Sequence, residues 1–176
     1  MAQNKAELRW SALKVRRGIP VGILLELSEA VMGNVITSTE FTRSAVIASY
    51  VAKSDEVRTE GIIRHSLKVG KRVLVPLTSP SSSTLVFSEL HDYDNELAPG
   101  SFGVLEPKEE YIRPVPLEEA NLVLVPLVAW DYRGHRLGYG KGYFDSALAQ
   151  SGCPRSRWGS RWNASAYRGY RRRDMM

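Results

Sequence analysis

The sequence predicts an α/β fold: three layers, α/β/α, around a mostly parallel central sheet. Three observations lead there. The 176 residues suit one domain large enough to bury its own core. Short apolar runs rich in β-branched residues alternate with segments of helical period, as in strand–helix–strand crossovers. The most apolar run, residues 122–128 (L-V-L-V-P-L-V), has no polar alternation. Such a strand is buried on both faces, as in a parallel sheet covered by helices.

In chain order, residues 5–17 place Leu8, Ala12, Leu13 and Val15 among basic residues at helical spacing, and Gly18 and Pro20 end the helix. Residues 21–32 form a second helix with Gly33 and Asn34 as its stop. Residues 44–51 (S-A-V-I-A-S-Y-V) read as a buried strand, and residues 59–69 as an amphipathic helix closed by Gly70. Residues 72–76 form a strand, 79–84 a polar turn and 85–90 another strand. Residues 96–116, rich in Pro, Gly and charge, read mostly as loop, and 146–150 as a helix. No repeat or linker divides residues 1–150, so they are expected to form one domain, with 151–176 as an atypical Arg-rich tail.

Apolar residues make up 43% of the chain, ordinary for a globular protein. The single cysteine, Cys153, has no internal disulfide partner, which fits a reducing compartment. The N-terminal residues carry charge where a secretory signal has an apolar core, and no apolar run approaches the roughly 20 residues of a membrane span. A cytoplasmic protein without a membrane partner is expected. The formal charge of +5 is unevenly distributed. Residues 1–150 hold 17 basic against 18 acidic side chains, while 151–176 hold 7 Arg and one Asp. The basic character is a property of the tail and argues little for a nucleic-acid partner of the folded body.

Residues 129–145 read A-W-D-Y-R-G-H-R-L-G-Y-G-K-G-Y-F-D. Gly138, Gly140 and Gly142 alternate around Lys141, with Arg136 ahead of them. A glycine loop between a buried strand and a helix start cradles phosphate through its backbone N–H groups, aided by the helix dipole. Lys141 and Arg136 add positive charge, and Asp145 is suited to a magnesium ion carried on phosphate. The spacing matches neither the P-loop nor the dinucleotide fingerprint. A tight glycine loop with solvated cations accounts for the same pattern without a ligand. His65, His91 and His135 do not cluster, and neither a metal site nor a triad is expected among them.

The segment R-L-G-Y-G-K-G-Y-F-D, after an apolar strand and an Asp-x-x-Gly turn, resembles the 5-formyltetrahydrofolate cyclo-ligase (5,10-methenyltetrahydrofolate synthetase) family. So do K-A-E-L-R (residues 5–9), E-V-R-T (56–59), G-K-R-V-L-V-P (70–76) and L-E-P (105–107), in order and at similar spacing. The resemblance covers about residues 5–150. It implies ATP- and magnesium-dependent closure of 5-formyltetrahydrofolate to 5,10-methenyltetrahydrofolate, with release of ADP and phosphate. In the family's chemistry the formyl oxygen takes the γ-phosphoryl group, nitrogen 10 attacks the activated carbon, and phosphate leaves.

Carried onto this sequence, the resemblance implies that Lys5 and Arg9 contact ATP. It implies that Arg136, Leu137, Gly138, Tyr139, Gly140, Lys141, Gly142, Tyr143 and Phe144 wrap the nucleotide. Lys141, with Arg136, acts on the transferring phosphoryl group. Asp145 serves the magnesium, its alternative being an N-cap of the following helix. Glu56 hydrogen-bonds the pterin, whose adjacent N–H donors suit a carboxylate; otherwise Glu56 is a solvated acid at a helix start. Val51 and Phe102 wall the pocket. Tyr139 and Tyr143 either stack on a ligand ring or pack ordinarily.

The family continues past this motif with another buried strand and a second acidic motif. Residues 151–176 supply neither, with Asp174 alone among arginines. This predicts an exposed sheet edge, with lower stability or self-association unless the tail covers that edge, and it bears against magnesium binding and full activity. Two alternatives follow: an ATP- or folate-binding relative with weak or altered activity, and nucleic-acid binding through the tail, where Trp158, Trp162 and Tyr167 are placed to stack on bases.

Overall fold

A computed structural model describes residues 4–78, 85–131, 133 and 135–151. The turn expected at 79–84 and almost all of the Arg-rich tail lie outside the described residues.

Helix α1 (Lys5–Arg17) starts at a capping box. The Asn4 side chain accepts from the Ala6 and Glu7 N–H groups, each at 2.9 Å, and Glu7 accepts from the Asn4 N–H. Helix α2 (Val21–Ile36) runs past the expected stop at Gly33 and Asn34. The reason is burial: Val35 packs with Phe41, Ile47 and Ile62, and that contact outweighs the helix-breaking tendency of glycine. Helix α3 (Thr39–Arg43), absent from the sequence reading, is a single turn. Ser38 caps it by accepting from the Phe41 N–H, and buried Phe41 anchors it.

Strand β1 (Val46–Ser49) is shorter than the expected 44–51, because Ser44 is the C-cap of α3. Helix α4 (Glu60–Lys68) ends near Gly70, which has φ of +75°. Strands β2 (Arg72–Thr78) and β3 (Leu85–Leu90) follow. The expected loop at 96–116 carries a small antiparallel pair, β4 (Leu97–Pro99) and β5 (Leu105–Pro107). Strand β6 (Leu122–Leu124) covers only the start of the expected 122–128 strand. Pro126 has no N–H for a sheet ladder, and the chain turns there toward the glycine segment. Strands β7 (Ala129–Trp130) and β8 (Arg136–Leu137) form a two-residue ladder, and helix α5 (Tyr143–Gln150) starts three residues before the expected 146.

The main sheet has the order β3-β2-β1-β6. β1 runs parallel to β2 and β6, while β3 is antiparallel to β2. Side chains alternate across it as the pleat requires. Val46, Ala48, Leu74 and Phe87 face α5, meeting Phe144, Ala147 and Leu148. Ile47, Val73 and Val75 face the opposite way, toward buried groups of α2, α3 and α4 such as Val35, Phe41, Ile62 and Ile63. Helices on both faces give the expected three layers. Residues 113–115 cover the outer edge of β3, whereas β6 has β1 as its one strand neighbour among the described residues. No single helix among them is long and apolar enough to cross a membrane.

Glu96 anchors the β4–β5 pair, which reaches over the C-terminal ends of the main strands. It is buried, and it accepts two hydrogen bonds from Arg113 and one from the His91 N–H, each at 2.9 Å. The Arg113 guanidinium holds its carboxyl below the ordinary range. A depressed folded pKa contributes stability that is full above the unfolded value of about 4.3 and is lost as pH falls through the folded value. Thermal melts taken from neutral pH downward are therefore expected to lose stability below about pH 4. Glu96→Gln should remove part of that acid sensitivity. An unchanged acid profile in the variant contradicts the assignment.

Candidate active site

A cavity of about 540 Å³ opens beyond the C-terminal ends of β1, β2 and β6. This is where open α/β sheets place ligands, and the size suits a substrate pocket. Its wall takes Tyr50 and Val51 from the end of β1, Pro76 and Thr78 from β2, and Pro126 from beyond β6. Lys5 and Arg9 come from α1, and Ser101, Phe102, Val104 and Glu106 from the β4–β5 pair. The entire segment from Arg136 to Asp145 lines it as well.

The glycine segment is held from α1, where Arg9 Nε donates to the Gly138 carbonyl at 2.7 Å. Gly140 has φ of +100° and Gly142 φ of +73°, both in the left-handed region that glycine tolerates. Gly142 is the N-cap of α5, and no side chain caps that helix start. Its first N–H groups are the kind of orphan donors that bind an anion. Lys141 Nζ lies 3.6 Å from the centroid of the Phe102 ring, and Phe102 lies 6.3 Å from the Tyr143 ring. Phe102 itself has φ of +58°, uncommon for a bulky residue, and Gly103 beside it has φ of +71°.

In a second cluster, Lys53, Glu56 and Tyr139 line the cavity, and Arg16 and Asp55 bond into it from outside the wall. Glu56 is buried at 5% exposure, with Oε2 accepting from the Lys53 N–H at 2.8 Å and Oε1 accepting from the Tyr139 hydroxyl. Tyr139 in turn accepts from Arg16 Nη2 at 2.5 Å. Arg16 also donates to Asp55 at 2.9 Å and to the Leu127 carbonyl at 3.3 Å. Burial, reinforced by the contact with Glu56, pushes the Tyr139 hydroxyl well above the ordinary phenol range, so it stays protonated. Burial opposes the Arg16 charge, but the contacts to Tyr139 and Asp55 outweigh it and raise its pKa.

The sequence profile of the 5-formyltetrahydrofolate cyclo-ligase family matches residues 1–159. The chain belongs to that family. It is 26% identical over 146 residues to the 5-formyltetrahydrofolate cyclo-ligase of Haemophilus influenzae, covering 83% of this chain and 78% of that one. The solved 5,10-methenyltetrahydrofolate synthetase of Aquifex aeolicus superposes with a TM-score of 0.71 at 32% identity, over 82% of this chain and 72% of that one. The solved synthetase of Mycoplasma pneumoniae, at 21% identity and a TM-score of 0.65, supports the fold.

Every residue to which the cyclo-ligase resemblance gave a site role lines this cavity: Lys5, Arg9, Val51, Glu56, Phe102 and all ten from Arg136 to Asp145. The alternative of a solvated acid at Glu56 is overturned, because the side chain is buried. Arg136 lies in β8 rather than in open loop, and it pairs with Asp145. Asp145 is the third residue of α5, so the N-cap alternative is overturned: Gly142 holds that position. Phe144 packs edge-on against Phe87 at 6.2 Å, a core contact as much as a cavity wall. The Tyr139 hydroxyl is committed to protein partners, and its ring lies near Arg16 and Lys53 at 5.2 and 5.1 Å.

The family implies magnesium. Among the described residues no group of three or more His, Cys, Asp or Glu side chains gathers to hold a metal alone. Asp145, exposed in the cavity lining and paired with Arg136, is a single carboxylate, which fits a magnesium ion that arrives on nucleotide phosphates, because that ion needs only one or two protein carboxylates.

The sequence reading missed Lys53, Thr78, Glu106 and Arg16. Thr78 donates to Glu106 at 2.9 Å, and both reach the cavity only because the β4–β5 pair folds back over β2. Arg16 did carry a signal. It follows Arg9 by seven residues, two helical turns, so both point toward the glycine segment.

Gly140→Ala is expected to cost roughly 1–2 kcal/mol, since an L side chain resists the left-handed region. The added Cβ would also sit 3.2 Å from the Arg9 guanidinium carbon. Denaturant melts and an ATP titration check both effects. Full stability with unchanged ATP affinity would rule out a constrained loop.

Proposed function

We propose that this chain closes 5-formyltetrahydrofolate to 5,10-methenyltetrahydrofolate in an ATP-dependent reaction. The observation that carries the reading is the convergence, in one cavity, of an uncapped helix start, five cationic side chains and a buried carboxylate with open lone pairs. Lys5, Arg9, Arg136 and Lys141 supply the charge for a triphosphate, and the backbone from Gly138 to Gly142 supplies N–H groups. Glu56 accepts from the pterin N–H donors. Val51 and Phe102 provide apolar walls, and Tyr143 extends the aromatic surface beside Phe102.

The formyl oxygen attacks the γ-phosphorus, and ADP leaves. Lys141 and Arg136 balance the charge on the transferring group. Nitrogen 10 then adds to the activated carbon and gives up its proton. The carbon–oxygen bond breaks, and phosphate departs with the former formyl oxygen. The cavity holds nucleophile and phosphoryl group together, which is the main demand of such a transfer. Asp145, which lines the cavity, would hold a magnesium ion carried on the nucleotide, and that ion would supply neutralisation of phosphate charge. The lone cysteine suits work in the cytoplasm.

The test is incubation of the folded chain with 5-formyltetrahydrofolate, ATP and magnesium while methenyltetrahydrofolate is followed by its absorbance. ATP-dependent product is expected. Its absence from folded protein overturns the proposal.

A further inference from the structure

Arg16 lies outside the cavity wall and outside every role assigned above. It is nevertheless buried at 6% exposure, with its guanidinium spanning three segments: Tyr139 of the glycine loop, Asp55 beside Glu56, and Leu127 beyond β6. Its Nε has no hydrogen-bond acceptor among the described residues. A buried donor left unpaired costs stability, and an apolar side chain of similar volume would avoid that cost. The arginine therefore has a use other than filling space.

We infer that Arg16 is a positioning residue for folate recognition: it directs the Tyr139 hydroxyl proton onto Glu56 and so fixes which carboxylate lone pairs remain open to the pterin. This rests on the folate reading given above.

A guanidinium only donates. The Tyr139 oxygen, 2.5 Å from Arg16 Nη2, must accept there, so the hydroxyl's own proton goes to another acceptor. Glu56 Oε1 is that acceptor. The Lys53 N–H occupies Oε2 from the other side. A carboxylate offers about four lone-pair sites, two on each oxygen. One protein donor on each oxygen leaves one open site on each, the pattern that two adjacent N–H donors require. Without Arg16 the Tyr139 hydroxyl is free to turn, and Glu56 loses a fixed donor and its orientation.

The test compares Arg16→Met with the wild type by calorimetric titration of 5-formyltetrahydrofolate and, separately, of a non-hydrolysable ATP analogue. Loss of a fixed hydrogen bond to a charged group predicts a Kd for the folate about tenfold higher. The Kd for the nucleotide analogue should move less than about twofold, because Arg9 still holds the loop. In a Tyr139→Phe background, which has no hydroxyl to orient, the same Arg16 change should add less than about twofold. A general structural role would instead weaken both ligands and act equally in both backgrounds, and either result overturns the inference. Should Arg16→Met not fold by circular dichroism, Arg16→Lys carries the same test. It keeps a charge against Asp55 but cannot reach all three partners with one planar group. Wild-type chain that binds no folate overturns the functional reading and this inference with it. Wild-type chain that binds folate as well as Arg16→Met does overturns the Arg16 assignment alone.

Discussion

Lys141→Ala is expected to lower kcat by about a thousandfold, the scale on which removing one preorganised group from a developing negative charge acts. Lys141 lines the cavity beside the N-cap of α5, and its ammonium is held by the Phe102 ring. Among the described residues it makes no ion pair with a carboxylate. A π face holds a cation loosely, worth about 0.5–1 kcal/mol at an exposed site, so the charge remains available to an incoming phosphoryl group. Lys141→Arg keeps the charge but replaces a compact ammonium with a planar fork, and should recover only part of the rate. Single-turnover kinetics measures both variants, with circular dichroism as the control for folding. A kcat within a few-fold of wild type in Lys141→Ala removes this side chain from the chemistry.

Glu56→Gln is expected to weaken 5-formyltetrahydrofolate by about a hundredfold, since each hydrogen bond to a charged group contributes roughly 1.5–3 kcal/mol. The substitution keeps the shape of the side chain but turns one acceptor into an NH2 donor. That donor must face either the Tyr139 hydroxyl or the Lys53 N–H, both of which now donate to the carboxylate. ATP affinity should change little, because the cations of α1 and the glycine segment are left intact. Calorimetry reads the two ligands separately. Equal loss of both would mean that Glu56 supports the cavity as a whole rather than the pterin.

The sequence made the sheet and the chemistry legible, but not their edges. Residues 46–49, 72–76 and 85–90 are strands within short apolar runs, with β-branched residues recurring in the first two. Gly33 misled because its helix-breaking tendency is small beside the burial of Val35. The single turn of α3 was hidden because its stability comes from one capped serine and one buried phenylalanine. The β4–β5 pair left no periodic trace in three-residue strands rich in proline and charge. In the site, glycine and lysine spacing singled out a segment that lines the cavity. Glu56 could be named but its burial could not, since burial follows from how Lys53, Tyr139 and Arg16 close around it from distant segments.

Transfer of the γ-phosphoryl group of ATP to the formyl oxygen of the folate is read out with 5-formyltetrahydrofolate carrying oxygen-18 in the formyl group. In a single turnover with ATP, the label is expected in inorganic phosphate, because the bond that breaks last lies between the formyl carbon and that oxygen. Methenyltetrahydrofolate formed while the label is released to water would contradict that transfer.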